Sequence, residues 1–154
     1  MTILFTIVLF ALLATAAVID SRTMRIPNAL NAVIAGVGIG ATLSLDRPLI
    51  DALLGMALGY GLIYLANAAY RALRARDGIG MGDAKLLGAA GAWLGWAALP
   101  FVVLIASTGA IIWLLARRVM GHRIEGAQAL PFGPALCAGI MVVWLVQAVA
   151  VAPA

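Results

Sequence analysis

The sequence predicts an all-α polytopic membrane protein of about six transmembrane helices, and three observations carry that prediction. Of its 154 residues, 65% are hydrophobic and 10% are charged, where soluble domains hold roughly 25% charged and 45–50% apolar residues. The mean hydropathy is +1.11. The apolar residues also fall into runs of membrane-crossing length, separated by short polar loops in which the basic residues are unevenly shared. Such a chain forms one membrane-embedded domain, residues 1–154, with no separate soluble unit. The net charge of +4 needs no nucleic-acid partner, because its placement follows membrane topology.

Span 1 is expected over Met1–Ile19, about 28 Å as a helix, enough to cross a hydrocarbon core. No basic segment precedes it and it ends in Asp20 rather than at a small-residue cleavage site, so it reads as a retained span. The polar stretch Asp20–Arg25 reads as a loop, and Pro27 suits the first turn of the next helix, where a missing N–H does no harm. Span 2 is expected over Ala29–Leu45. Its Gly36, Gly38 and Gly40 suit close backbone packing. Asp46-Arg47-Pro48 turns the chain into span 3, Leu49–Tyr70, where Gly55 and Gly59 have the small-xxx-small spacing of a packing seam. Arg71–Met81 is the longest polar segment. The apolar stretch from Leu86 to Ala116 exceeds the roughly 20 residues one span needs. Gly95-Trp96 and Pro100 divide it into a short span 4 (Ala84–Leu94), for which re-entry is as open as crossing, and span 5 (Leu99–Ala116). The loop Arg117–Gln128 precedes span 6, Pro134–Val151.

Charge tests this division. Of the ten Lys and Arg residues, nine lie after spans 1, 3 and 5: Arg22 and Arg25, then Arg71, Arg74, Arg76 and Lys85, then Arg117, Arg118 and Arg123. Only Arg47 lies on the other side. The positive-inside rule assigns those three loops to the cytoplasm and both termini to the outside. A five-span arrangement would move Arg117, Arg118 and Arg123 outside.

Asp20 and Asp83 then share the cytoplasmic face. Two carboxylates in a partly dry site cannot both ionise easily: one keeps a proton and serves as an acid while the other activates water. Amide hydrolysis by such a pair requires neither a metal nor a covalent intermediate. The chain has one cysteine, Cys137, and one histidine, His122. A disulfide within the chain and a Cys/His zinc cluster are therefore impossible. The helix dipoles suggest that Asp20, at the end of span 1, holds the shared proton and that Asp83, at the start of span 4, is the base. Plainer readings stand beside these. Asp83 serves as an N-cap of span 4, Asp20 as a solvated loop residue, Lys85 as an interfacial cation. Gly80 and Gly82 shape a turn or let a substrate backbone approach.

The segment Gly80-Met81-Gly82-Asp83-Ala84-Lys85-Leu86 resembles the GxGDxKL motif of type IV prepilin peptidases, which are GxGD aspartyl proteases. Asp20 with Ile26-Pro27-Asn28 resembles the family's first aspartate motif, and Pro131-Phe132-Gly133-Pro134 its late PFGP segment. The three occur in family order. The resemblance implies that Asp20 and Asp83 are catalytic. It implies that Pro27, Asn28, Gly80, Gly82, Lys85, Pro131, Phe132, Gly133 and Pro134 shape the site or bind substrate. It further implies removal of a short basic leader from prepilins or pseudopilins at the cytoplasmic face of the bacterial inner membrane, in contact with the lipid bilayer. Presenilin-like proteases share the GxGD, but their first aspartate usually follows a tyrosine, whereas Ile19 precedes Asp20. Long bifunctional members carry an extra N-terminal region, often with a zinc-binding cysteine cluster, and methylate the new N-terminus. This chain begins at the first catalytic span without such a cluster, so neither methylation nor any cofactor is expected, and the form resembles the minimal peptidase. Asp77 and Glu125, or the anionic lipid surface, are candidates to meet a basic leader.

Two other classes of function remain open on the residues alone. A small transporter or channel subunit would use the aspartates as ion sites, but its charges belong mid-span and in repeated halves, whereas these lie at span ends. A catalytically silent partner in pilus or secretion assembly is the other. The oligomeric state is not readable from the sequence.

Overall fold

A computed structural model describes residues 1–74, 80–120 and 132–151 of the chain. Among these residues there are six α-helices and a 3₁₀ turn: α1 (Thr2–Thr23), α2 (Asn28–Ser44), α3 (Leu49–Arg74), α4 (Met81–Leu94), the turn Trp96–Ala98, α5 (Leu99–Val119) and α6 (Gly133–Val151). The chain is an all-α polytopic membrane protein. Helices α1, α3, α5 and α6 contain segments long and apolar enough to cross a membrane; α2, of 17 residues, is shorter. Their large apolar side chains face outwards, among them Ile3, Leu4 and Ile7 on α1 and Leu104, Ile111 and Ile112 on α5. Water would penalise that arrangement; lipid accepts it.

The axis of the bundle is α4. At 14 residues it is about 21 Å long, short of a ~30 Å hydrocarbon core. Nearly every residue from Asp83 to Leu94 is nevertheless buried. Its small side chains explain this. Gly88, Ala89, Ala90, Gly91 and Ala92 let neighbouring backbones approach, and close approach is what packs helices where lipid is as apolar as leucine. On α3, Gly55 faces Gly91, and a Cβ on Gly91 would overlap the Gly55 carbonyl; a Cβ on Gly59 would lie 2.6 Å from the Leu87 oxygen. The small-xxx-small spacing of span 3 is a packing seam. The glycines of span 2 divide. Gly38 receives the Trp93 indole, whereas Gly36 and Gly40 meet nothing within 4 Å, which corrects the expectation that all three pack closely. They lie on another face of α2.

Trp93 locks α4 to its neighbours. Its Nε1 donates to the Ile34 carbonyl at 2.8 Å, its ring stands edge-on to Trp144 at 5.4 Å, and Phe5 lies edge-on at 6.3 Å. The Trp144 Nε1 donates to Thr6 Oγ1 at 2.9 Å, so both buried indoles have partners, as burial requires.

Helix ends differ from the expected ones by physical causes. The stretch Asp20–Arg25 is not a loop: α1 continues to Thr23 and closes at Met24, whose left-handed φ of 54° turns its N–H back to the Asp20 carbonyl at 2.8 Å. The Thr23 hydroxyl caps the same end, bonding the Ile19 and Arg25 carbonyls at 2.9 and 3.0 Å. The break at Gly95-Trp96 occurs where expected. Gly95 takes a φ of 75° that side chains rarely adopt, the 3₁₀ turn follows, and Pro100 falls in the first turn of α5. The division into spans 4 and 5 therefore holds. The loop residues Arg76, Asp77, His122, Arg123 and Glu125, and Pro131 of the PFGP segment, lie outside the described residues.

Candidate active site

The local chemistry of two segments brings the aspartates to one end of the bundle. Met24 and Pro27 force a short link between α1 and α2, and α2 starts at Asn28. The first turn of α4 rests against that link: a Cβ on Gly82 would stand 3.4 Å from the Ile26 nitrogen. The result is a cleft of about 890 Å³ lined by Asp20, Pro27, Asn28, Gly80, Gly82, Asp83 and Lys85, together with residues of the α1–α2 link. Seven of the residues singled out in the sequence thus share one cavity.

Neither aspartate is in the setting that its plainer reading supposed. Asp20 is 6% exposed and lies within α1, not in a solvated loop. Asp83 is 9% exposed and occupies the third position of α4; Gly80 is the N-cap and makes no side-chain capping bond. Burial pushes the Asp83 carboxyl up to about 6, and the negative charge of Asp20 pushes in the same direction. Gly80 leaves room beside it, since a Cβ there would sit 3.5 Å from Asp83 Oδ2.

Asp20 has a different neighbour. The backbone of Gly133, the first residue of α6, lies against its carboxylate. The fit is close enough that a Cβ on Gly133 would come within 2.5 Å of Asp20 Oδ2. The expected assignment of the shared proton to Asp20 weighed the end of α1 alone; the start of α6 also lies beside that carboxylate.

The remaining candidates divide by position. Lys85 Nζ donates to Asn28 Oδ1 at 2.7 Å, joining the α4 motif to the start of α2 across the cleft. Phe132 packs against the hydrophobic core. Pro134 lies on an adjoining apolar groove with Ser21 and Trp113. Pro131 falls outside the described residues. Two features had escaped the sequence reading. Asn31, 4% exposed, directs Nδ2 at the Gly82 carbonyl at 3.5 Å, while its Oδ1 has no partner. Its signal was available: a polar residue in an apolar span, three after Asn28 and so on the same face. Cys137, one turn beyond Gly133 and buried, lies within the field of both carboxylates, which nothing in its own neighbourhood in sequence announces. Among the described residues no group of three or more His, Cys, Asp or Glu side chains gathers as a metal site.

The pattern of the type IV leader peptidase family matches residues 7–115, a range that includes both aspartates. A protein named prepilin leader peptidase/N-methyltransferase from Dickeya chrysanthemi is 42% identical over 128 residues, covering 81% of this chain and 44% of that protein. One of the same name from Burkholderia pseudomallei (strain 1026b) is 42% identical over 131 residues, covering 84% and 41%. One from Escherichia coli (strain K12) is 36% identical over 134 residues, covering 86% and 59%. The chain spans about half the length of the curated relatives it matches. No solved structure matches it significantly.

Proposed function

We propose that this chain, which belongs to the type IV leader peptidase family, is a membrane aspartyl endopeptidase that removes the short basic leader of prepilins or pseudopilins. The observation that carries the reading is the pair itself. Asp20 and Asp83 are buried, line one cleft and interact electrostatically, although they come from different helices.

The geometry supports a division of labour. In this division Asp20 is the ionised partner and takes a proton from water. Asp83, raised by burial and by its neighbour's charge, keeps its proton for the substrate carbonyl oxygen. Water adds to the carbonyl carbon to give a tetrahedral intermediate. Its collapse breaks the C–N bond as the proton held by Asp20 passes to the leaving nitrogen and Asp83 takes back a proton from the diol. The Lys85–Asn28 bond fixes the mouth of the cleft; Gly80 and Gly82 leave space for an extended substrate backbone.

The basic residues after α1, α3 and α5 support a cytoplasmic orientation for this end, with both termini outside and the protein in the bacterial inner membrane. Helices α3 and α4 run antiparallel along their glycine seam, consistent with those loops sharing a face. The test is cleavage of a co-expressed prepilin in membranes. Asp20→Asn and Asp83→Asn should each lower cleavage by at least about 10²-fold, the lower range for losing a general acid or base. Near-wild-type cleavage by either variant rules out the paired mechanism.

A further inference from the structure

The far end of α4 carries a second cavity that the proposed chemistry does not use. The last carbonyls of a helix lack intrahelical donors, and here three other elements supply them. Thr42 Oγ1 donates to the Ala92 oxygen at 2.8 Å, Arg47 Nη1 to the Trp93 oxygen at 3.1 Å, and Gln147 Nε2 to the Leu94 oxygen at 3.1 Å. Capping accounts for only part of these side chains. The Arg47 guanidinium has five N–H donors and lies over the Trp144 ring at 4.9 Å. It is partly buried, and no ion pair to it occurs among the described residues. A helix C-terminus offers about half a negative charge, which leaves much of the Arg47 charge unanswered. Gln147 Oε1 is sealed from solvent and has no partner.

Between these groups opens a cavity of about 320 Å³, at the lower end of the range for small-molecule sites. Its lining also holds Asp51 and Trp96, joined by a bond from Trp96 Nε1 to Asp51 Oδ1 at 3.2 Å. The lining therefore includes both donors with positive charge, on Arg47, and a carboxylate, on Asp51. A matching ligand has an anionic group rich in acceptors and, a few bonds away, a cation that still bears N–H donors. The cavity lies where α2 ends and α3 begins, beside a half-exposed tryptophan, as at a membrane–water interface.

We propose that this cavity binds a phosphoethanolamine group, its phosphate on Arg47 and its ammonium on Asp51, carried as the headgroup of a phospholipid in the adjacent leaflet. A choline headgroup has no N–H to give Asp51, and a glycerol headgroup has no cation. The site stands apart from the aspartates and does not depend on the peptidase reading.

Native mass spectrometry of the full chain in detergent, with phosphatidylethanolamine, phosphatidylcholine and phosphatidylglycerol of identical acyl chains, tests it. Wild type should retain the ethanolamine lipid about tenfold better than either of the others, the ratio expected from one charge-assisted contact. Arg47→Gln should weaken retention of all three. Because Arg47 also caps α4, Asp51→Asn is the safer variant: its amide oxygen still accepts from Trp96, and it should abolish the preference for ethanolamine over choline. Equal retention of the three lipids by wild type, or a preference that survives Asp51→Asn, overturns the proposal. Soluble glycerophosphoethanolamine is the source control. If it displaces the lipid at equal concentration, the headgroup is recognised without its membrane anchor and the lipid assignment fails.

Discussion

Burial raises the cost of ionising Asp83, and the charge of Asp20 raises it further. The sign of the resulting pH dependence follows. Well below pH 4 the carboxyl is protonated whether the chain is folded or unfolded. Between about 4 and about 6 the folded protein binds a proton that the unfolded chain has released, so stability falls as pH rises through that window, and the penalty is complete above it. The acid needed for cleavage is lost over the same range, so kcat/KM should decline above about pH 6. An infrared titration of the Asp83 carboxyl band checks the cause directly. In Asp20→Asn the midpoint should move down, yet remain above the ordinary value of 3.8, because desolvation persists. An unmoved midpoint means that Asp83 does not feel Asp20. Both aspartates were legible as candidates because ionisable residues at span ends stand out in so apolar a chain. The approach of Gly133 to the Asp20 carboxylate was not, because Gly133 is remote in sequence and reaches Asp20 only when α6 packs beside α1.

At the scale of elements, α4 determines where everything else goes. Its Gly91 tolerates no added carbon on the α3 side, and this sets up a contrast between two substitutions of the same chemistry. Gly91→Ala forces a methyl group into the Gly55 backbone. It should lower stability by about 1–3 kcal/mol, as overpacking does, or by more where backbone must move. Gly36→Ala meets open space, and its helix propensity should leave stability unchanged or raise it by up to about 1 kcal/mol. Thermal unfolding of the two purified variants in one detergent decides the matter; similar midpoints would mean that the seam is not close-packed. The spacing of Gly55 and Gly59 was enough to suggest a seam. It could not reveal the partner helix, and the same reasoning failed for Gly36 and Gly40, because glycine content does not say which face of a helix meets a neighbour.

For the molecule as a whole, the distribution of Lys and Arg is the strongest global signal. It predicts that reporters fused after Arg25, after Arg74 and after Met120 all report a cytoplasmic location, while one fused after Asp46 reports the opposite side. A split among the first three would break the topology on which the proposed cytoplasmic placement of the site rests. The same organisation separates two ends of the bundle. One gathers the α1–α2 link, the start of α4 and the start of α6 around the aspartates. The other closes the end of α4 with Thr42, Arg47 and Gln147.

By itself the sequence determined the class, the number of helices, the break at Gly95 and the motifs that carry chemistry. These are local properties: hydropathy over a run of about 20 residues, the conformational demands of glycine and proline, and charges that cannot enter lipid. The tertiary structure alone decided that α4 is the buried axis, that Asp20 belongs to a helix and not a loop, and that Gly133 and Asn31 approach the two motifs. These depend on side chains meeting across the bundle, and hydropathy, which registers whether a residue avoids water, does not encode which neighbour it avoids water with.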